Sequence, residues 1–147
     1  MKKIKLTKKE KERLEAMDYE IAFYEGILKN KPDFIEALSA LGDLYTKRGF
    51  IEKGLKADVK LSILKPEDPY VFYNLACSYS LLENVDEALS SIKQAIELGY
   101  KDFNFLEQDD DLENLRKDQR FQRYLARMKN RKDKQQDIDK DDDQRRP

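Results

Sequence analysis

Residues 35–68 read IEALSALGDLYTKRGFIEKGLKADVKLSILKPED, and residues 69–102 read PYVFYNLACSYSLLENVDEALSSIKQAIELGYKD. Set against each other at an offset of 34, they align Leu41 with Leu75, Tyr45 with Tyr79, Leu55 with Leu89, Leu64 with Leu98 and Asp68 with Asp102. Leu38 with Phe72, Gly42 with Ala76 and Ile51 with Val85 are conservative pairs in the same frame. One period earlier, Pro32 meets Pro66 and Ile27 meets Leu61. Self-similarity at such a period is the mark of one supersecondary unit stacked on copies of itself.

Each unit predicts two helices. Ala37, Leu38, Leu41, Leu44 and Tyr45 recur at steps of three and four, which is one helical face. Gly49 supplies the left-handed residue that ends a helix. A second helix spans Ile51 to Leu64 and stops before Pro66, because the residue preceding proline is disfavoured in the α region. The second unit repeats the plan with Phe72, Leu75, Ala76 and Tyr79, then Ala88, Leu89, Ile92, Ala95 and Ile96. Small residues at Gly42, Ala76, Ala88 and Ala95 let paired helices approach closely.

Upstream, Leu14, Met17, Ile21, Tyr24 and Leu28 step by three and four with no proline breaking the stripe. With Thr7 and Glu10 as a capping box, this predicts one long helix from about Lys8 to Lys29. Residues 1–16 form its basic start and 17–34 a half-repeat ahead of the units at 35–68 and 69–102. Downstream the frame dissolves, with Asp109 and Asp110 at positions that call for Leu and Gly. Residues 103–129 read as closing helices, one capped by Asp110 or Asp111 and the next by Asp118. The last presents Phe121, Tyr124, Leu125 and Met128 to the end of the stack. The charged segment 130–147 reads as a disordered tail.

These residues resemble the tetratricopeptide repeats, whose pattern is Trp-x2-Leu-Gly-x2-Tyr, then Ala-x3-Phe, then Pro. The first unit offers Leu38-x2-Leu41-Gly42-x2-Tyr45, then Gly54-x3-Asp58, then Pro66; the second offers Phe72-x2-Leu75-Ala76-x2-Tyr79, then Ala88-x3-Ile92, then Tyr100. The closing segment Leu106-x2-Asp109-x-Asp111-Leu112-x2-Leu115 resembles the one that ends small bacterial members. The resemblance implies an all-α solenoid of helical hairpins. Asp58 departs from the pattern, and an unpaired aspartate in a repeat core is costly. Either the helix turns so that Leu55, Val59 and Ile63 face inward, or Asp58 has a function.

Composition narrows the function. The chain holds 29 basic and 30 acidic residues in 147, a single cysteine and no histidine or tryptophan. Without histidine there is no imidazole base, His-containing zinc site or histidine pH switch. Five scattered glycines build no phosphate loop. The alternating Asp137, Asp139, Asp141 and Asp143 lack the glycine and glutamate of a calcium loop. No apolar run approaches the roughly 18 residues of a membrane span. The expectation is a cytoplasmic, non-enzymatic protein with no catalytic, metal or cofactor residues.

In the resembled fold, the first helix of each repeat lines a concave surface that holds a partner peptide or helix. The resemblance places Glu36, Ser39, Ala40, Asp43 and Lys47 there from the first repeat, and Tyr70, Tyr73, Asn74, Cys77 and Leu81 from the second. Tyr70, Tyr73 and Asn74 form the candidate hot spot, unless the tyrosines pack against the closing helices instead. Of the residues by which chaperone-binding members grip a terminal carboxylate, only Asn74 matches, and Asp43 would repel such a group. The chain therefore reads as an adaptor or scaffold for an unidentified protein. A second reading is a homodimer formed through the Leu14, Met17, Ile21, Tyr24 and Leu28 stripe. A third is an RNA- or ribosome-associated factor using the basic arm of Lys2, Lys3, Lys5, Lys8, Lys9, Lys11 and Arg13.

Overall fold

The computed structural model describes residues 5–145, and those residues are helical apart from short connections. In chain order they form α1 (Lys8–Asn30), α2 (Ile35–Arg48), α3 (Ile51–Leu64), α4 (Pro69–Leu81), α5 (Val85–Glu97) and α6 (Phe103–Gln108). A single 3-10 turn (Asp110–Leu112), α7 (Glu113–Arg116) and α8 (Gln119–Arg145) follow. Helices α2 and α3 form one antiparallel hairpin and α4 and α5 another, with α1 packed on α2 and α3 on α4. The architecture is an α-solenoid, as the period of 34 requires.

The repeat extends to backbone detail. Gly49 ends α2 at φ 90°, with its N–H bonded to Thr46 and the next N–H, that of Phe50, to Tyr45. Thirty-four residues on, Glu83 follows α4 at φ 61°, and the N–H groups of Glu83 and Asn84 bond to Ser80 and Tyr79. The same left-handed turn thus closes both hairpins, once with glycine and once with a residue that adopts it at a cost. At the N-terminus, the Thr7 hydroxyl accepts from the Glu10 N–H and the Glu10 carboxylate accepts from the Thr7 N–H. The long first helix and its capping box are present as expected.

The first core joins α1 to α2 through Met17, Ile21, Leu41, Leu44 and Tyr45, with Leu14, Tyr24 and Leu28 packed at its edge. The stripe expected to offer a dimer face is therefore already covered by α2. An amphipathic helix has one apolar stripe, and here it closes the open end of the chain's own stack. Leu38, Leu61 and Val71 connect the two hairpins. A larger core gathers α4 and α5 with the closing segment, where Ile92, Leu106, Leu112, Leu115 and Phe121 are fully buried.

The orientation of α3 differs from the expected rotation. Gly54, Ala57, Asp58 and Leu61 face inward, Leu55 and Val59 are half-buried, and Ile63 is 73% exposed. The reason is close approach. A Cβ on Gly54 would lie 2.8 Å from Thr46 Oγ1, and one on Gly42 would lie 3.1 Å from Asp58 Oδ1. The two glycines let α2 and α3 meet and leave room for the carboxylate, so the repeat register is kept with an aspartate at the aromatic position.

The closing segment departs from expectation twice. Asp118 caps α8 as anticipated, accepting from the N–H groups of Arg120 and Phe121. The 3-10 turn, however, is capped by Asp109, which accepts from the Asp111 N–H, and not by Asp110 or Asp111. Residues 130–145, expected to be disordered, continue α8 as an exposed helix. Neither glycine nor proline interrupts them, and i,i+4 pairing such as Gln135 with Asp139 favours the helical path. Arg146 and Pro147 lie outside the described residues.

Candidate functional site

Side chains of α2, α3 and α4 converge with the closing segment on one groove of about 310 Å³. The first helix of each hairpin, α2 and α4, supplies most of its walls. Ser39 and Asp43 come from α2, and Tyr70, Tyr73, Asn74 and Cys77 from α4. Of the ten groove residues named from sequence, Glu36, Ala40, Lys47 and Leu81 lie off this lining. The Lys47 ammonium instead pairs with Asp43 one turn back, at 2.8 Å.

Tyr73 is the floor of the groove and is buried. Its ring stacks on Tyr100 with centroids 4.6 Å apart, and its hydroxyl donates to Asp109 Oδ2 at 2.6 Å. Burial and the Asp109 bond hold the phenol protonated by raising its pKa. Cys77 is buried beside it, with Sγ 3.8 Å from the same carboxylate oxygen, and burial again raises the thiol pKa, aided by Asp109. That keeps Cys77 a protonated packing residue and not a nucleophile. Tyr70, the other tyrosine of the candidate hot spot, is 68% exposed and packs edge-on against Tyr100. Asn74 is exposed, and among the described residues its amide makes no hydrogen bond.

The third wall went unread in the sequence. Phe105 of α6, 53% exposed, and Asp109 and Asp111 beyond it complete the groove. A signal for it existed in the Asp68/Asp102 pair. Asp68 caps α4 by accepting from the Tyr70 N–H, and Asp102 caps α6 by accepting from the Phe105 N–H. The frame therefore persists into α6, where Leu106 is buried at the position of Phe72, before the chain turns at Asp109. Helix α6 is the truncated first helix of a further repeat, and so it borders the groove.

Asp58 lies within this lining, 6% exposed, where Oδ2 accepts from the Ser78 hydroxyl at 2.7 Å. Burial pushes its carboxyl up to about 6, partly opposed by the Ser78 bond, with Asp43 adding to the rise. Asp111 is also raised, by burial and by the neighbouring Asp109 and Asp110. Of the basic arm, Lys5, Lys8, Lys9, Lys11 and Arg13 are exposed, while Lys2 and Lys3 lie outside the described residues. No helix among the described residues is long and apolar enough to cross a membrane.

The fold is a helical-repeat solenoid of tetratricopeptide-like hairpins. The solved structure of MamA, a tetratricopeptide-repeat protein, superposes with a TM-score of 0.55 over 65% of this chain and 57% of that one, at 24% identity. In sequence, 87 residues are 37% identical to a chloroplastic protein of Arabidopsis thaliana. That match takes in 57% of this chain but only 26% of the Arabidopsis protein, so the chain spans about a quarter of its relative. No protein-family profile matches the chain.

Proposed function

We propose that this protein is a non-enzymatic interaction scaffold whose concave groove binds a segment of a partner protein. One observation carries the reading: Tyr70 and Asn74 stand exposed side by side on the groove wall, and the fold uses neither of their polar ends. An aromatic ring gives large contact area at low entropic cost, and a free carboxamide can pair with both the N–H and C=O of a peptide bond. The neighbouring groups suit binding better than reaction. The buried thiol and phenol are held protonated, and no acid–base pair stands next to a nucleophile among the described residues.

The test is a pull-down from native extract with the wild-type chain and with Tyr70→Ala plus Asn74→Ala. Both positions are exposed, so the double variant keeps the wild-type helical spectrum. Loss of the proteins recovered by the wild type is the expected result. Unchanged recovery by the folded variant refutes the groove as the binding surface.

A further inference from the structure

The groove is strongly one-signed. Asp43, Asp58, Asp68, Asp109 and Asp111 line it against a single lysine, Lys65. Lys65 is already engaged by Asp68 at 3.0 Å, and Asp43 by Lys47. Among the described residues, no cation forms an ion pair with Asp58, Asp109 or Asp111. The nearby Arg116 guanidinium donates instead to the main-chain carbonyls of Leu106 and Asp109. Asp109 spends its carboxylate oxygens on Tyr73 and the Asp111 N–H, while Asp58 has only the Ser78 hydroxyl and Asp111 has no side-chain partner. Carboxylates withdrawn from water and close to like charges are costly to keep ionised.

A second feature, chemically distinct from the acids, has the same preference. Tyr70 and Phe105 stand exposed on the groove, linked through the rings of Tyr100 and Tyr73. Aromatic faces attract ammonium and guanidinium groups through their quadrupoles, most strongly where water is excluded. Acids and rings together favour an organic cation on a flexible stem. An anionic terminus is disfavoured by every unpaired carboxylate. A metal ion is disfavoured by geometry, since no three acidic or thiol groups among the described residues are gathered to hold one.

Resting on the groove reading above, we propose that the partner segment is basic, and that a lysine or arginine side chain anchors it. The cation enters along Tyr70 and Phe105 and is neutralised by Asp111 and Asp58. Its stem supplies the apolar contact and its charge relieves the carboxylate repulsion. Binding is then salt-sensitive and selects for positive charge, as expected where a potential of one sign lines a cleft.

The experiment is selection of short linear peptides from a random displayed library on the full chain. The selected sequences are then synthesised and titrated against wild type, Tyr70→Ala and Asp111→Asn. Asp111 makes no side-chain hydrogen bond, so its asparagine variant is isosteric and keeps the fold. The expected result is enrichment of lysine or arginine, with affinity falling about tenfold or more in Asp111→Asn and on replacing the enriched basic residue by glutamine. Peptides that lose affinity in Tyr70→Ala but carry no enriched basic residue, or are indifferent to Asp111→Asn, overturn the cationic anchor and leave the groove standing. Selection of no peptide sensitive to Tyr70→Ala overturns both.

Discussion

The Ser78 hydroxyl donates to the Asp58 carboxylate across 2.7 Å, inside the interface where α3 of one hairpin meets α4 of the next. It replaces apolar packing with a polar contact between repeats. Its energetics depend on whether the carboxyl is ionised.

Unfolded, Asp58 titrates near 3.8, and folded near 6. The native state therefore binds more protons between those values, and stability falls as pH rises through the window. Asp58→Asn removes this slope and leaves an oxygen to accept from Ser78. Denaturant titrations should find the variant about 2 kcal/mol more stable at pH 7 and equal to wild type near pH 4. A stability difference between wild type and Asp58→Asn that does not widen from pH 4 to pH 7 contradicts the assignment.

Tyr73→Phe keeps the stack on Tyr100 and removes the bond to Asp109. A half-buried carboxylate then loses its strongest donor, at a cost of about 1–2 kcal/mol. Amide exchange should speed up mainly over α6 and the 3-10 turn, because Asp109 also caps that turn.

Alanine normally gains about 1 kcal/mol over glycine inside a helix. At Gly54 the sign reverses, because the new Cβ lies 2.8 Å from Thr46 Oγ1, itself tied to the Gly42 carbonyl. Gly54→Ala should cost about 1–2 kcal/mol. In a Thr46→Ala background the same change should be at least about 1 kcal/mol less harmful, a coupling that a double-mutant cycle reads directly.

Glu83 adopts the left-handed turn that Gly49 adopts one repeat earlier. Glu83→Gly relieves that strain, partly offset by a more flexible unfolded chain. The expected gain is about 0.5–1 kcal/mol in thermal or chemical denaturation. The reciprocal Gly49→Glu should lose a similar amount.

The helical hairpins, the Thr7 cap and the left-handed break at Gly49 were legible in the residues, because helix periodicity, caps and such breaks are local. Thr7 with Glu10, Gly49, and Pro66 after Leu64 each act within one or two turns of chain. The stripe from Leu14 to Leu28 was equally legible as an apolar face. Its occupant was not, since α2 competes with any second copy for that face and is tethered beside it. The inward turn of Asp58 was misread because its tolerance depends on two glycines of different helices and a serine twenty residues away. The groove's acidity is set in the same way. Asp43, Asp58, Asp68, Asp109 and Asp111 come from separate elements, and only the packing of α4 against α3 and the turn at Asp109 brings them together.

The sequence by itself determined a solenoid of two hairpins with a helix before and a closing segment after, because a period of 34 and its caps are properties of neighbouring residues. Tertiary structure alone decided which tyrosine is floor and which is surface, and where the negative charge collects. Those outcomes depend on distances between side chains far apart in the chain, and such distances are set only when the helices dock.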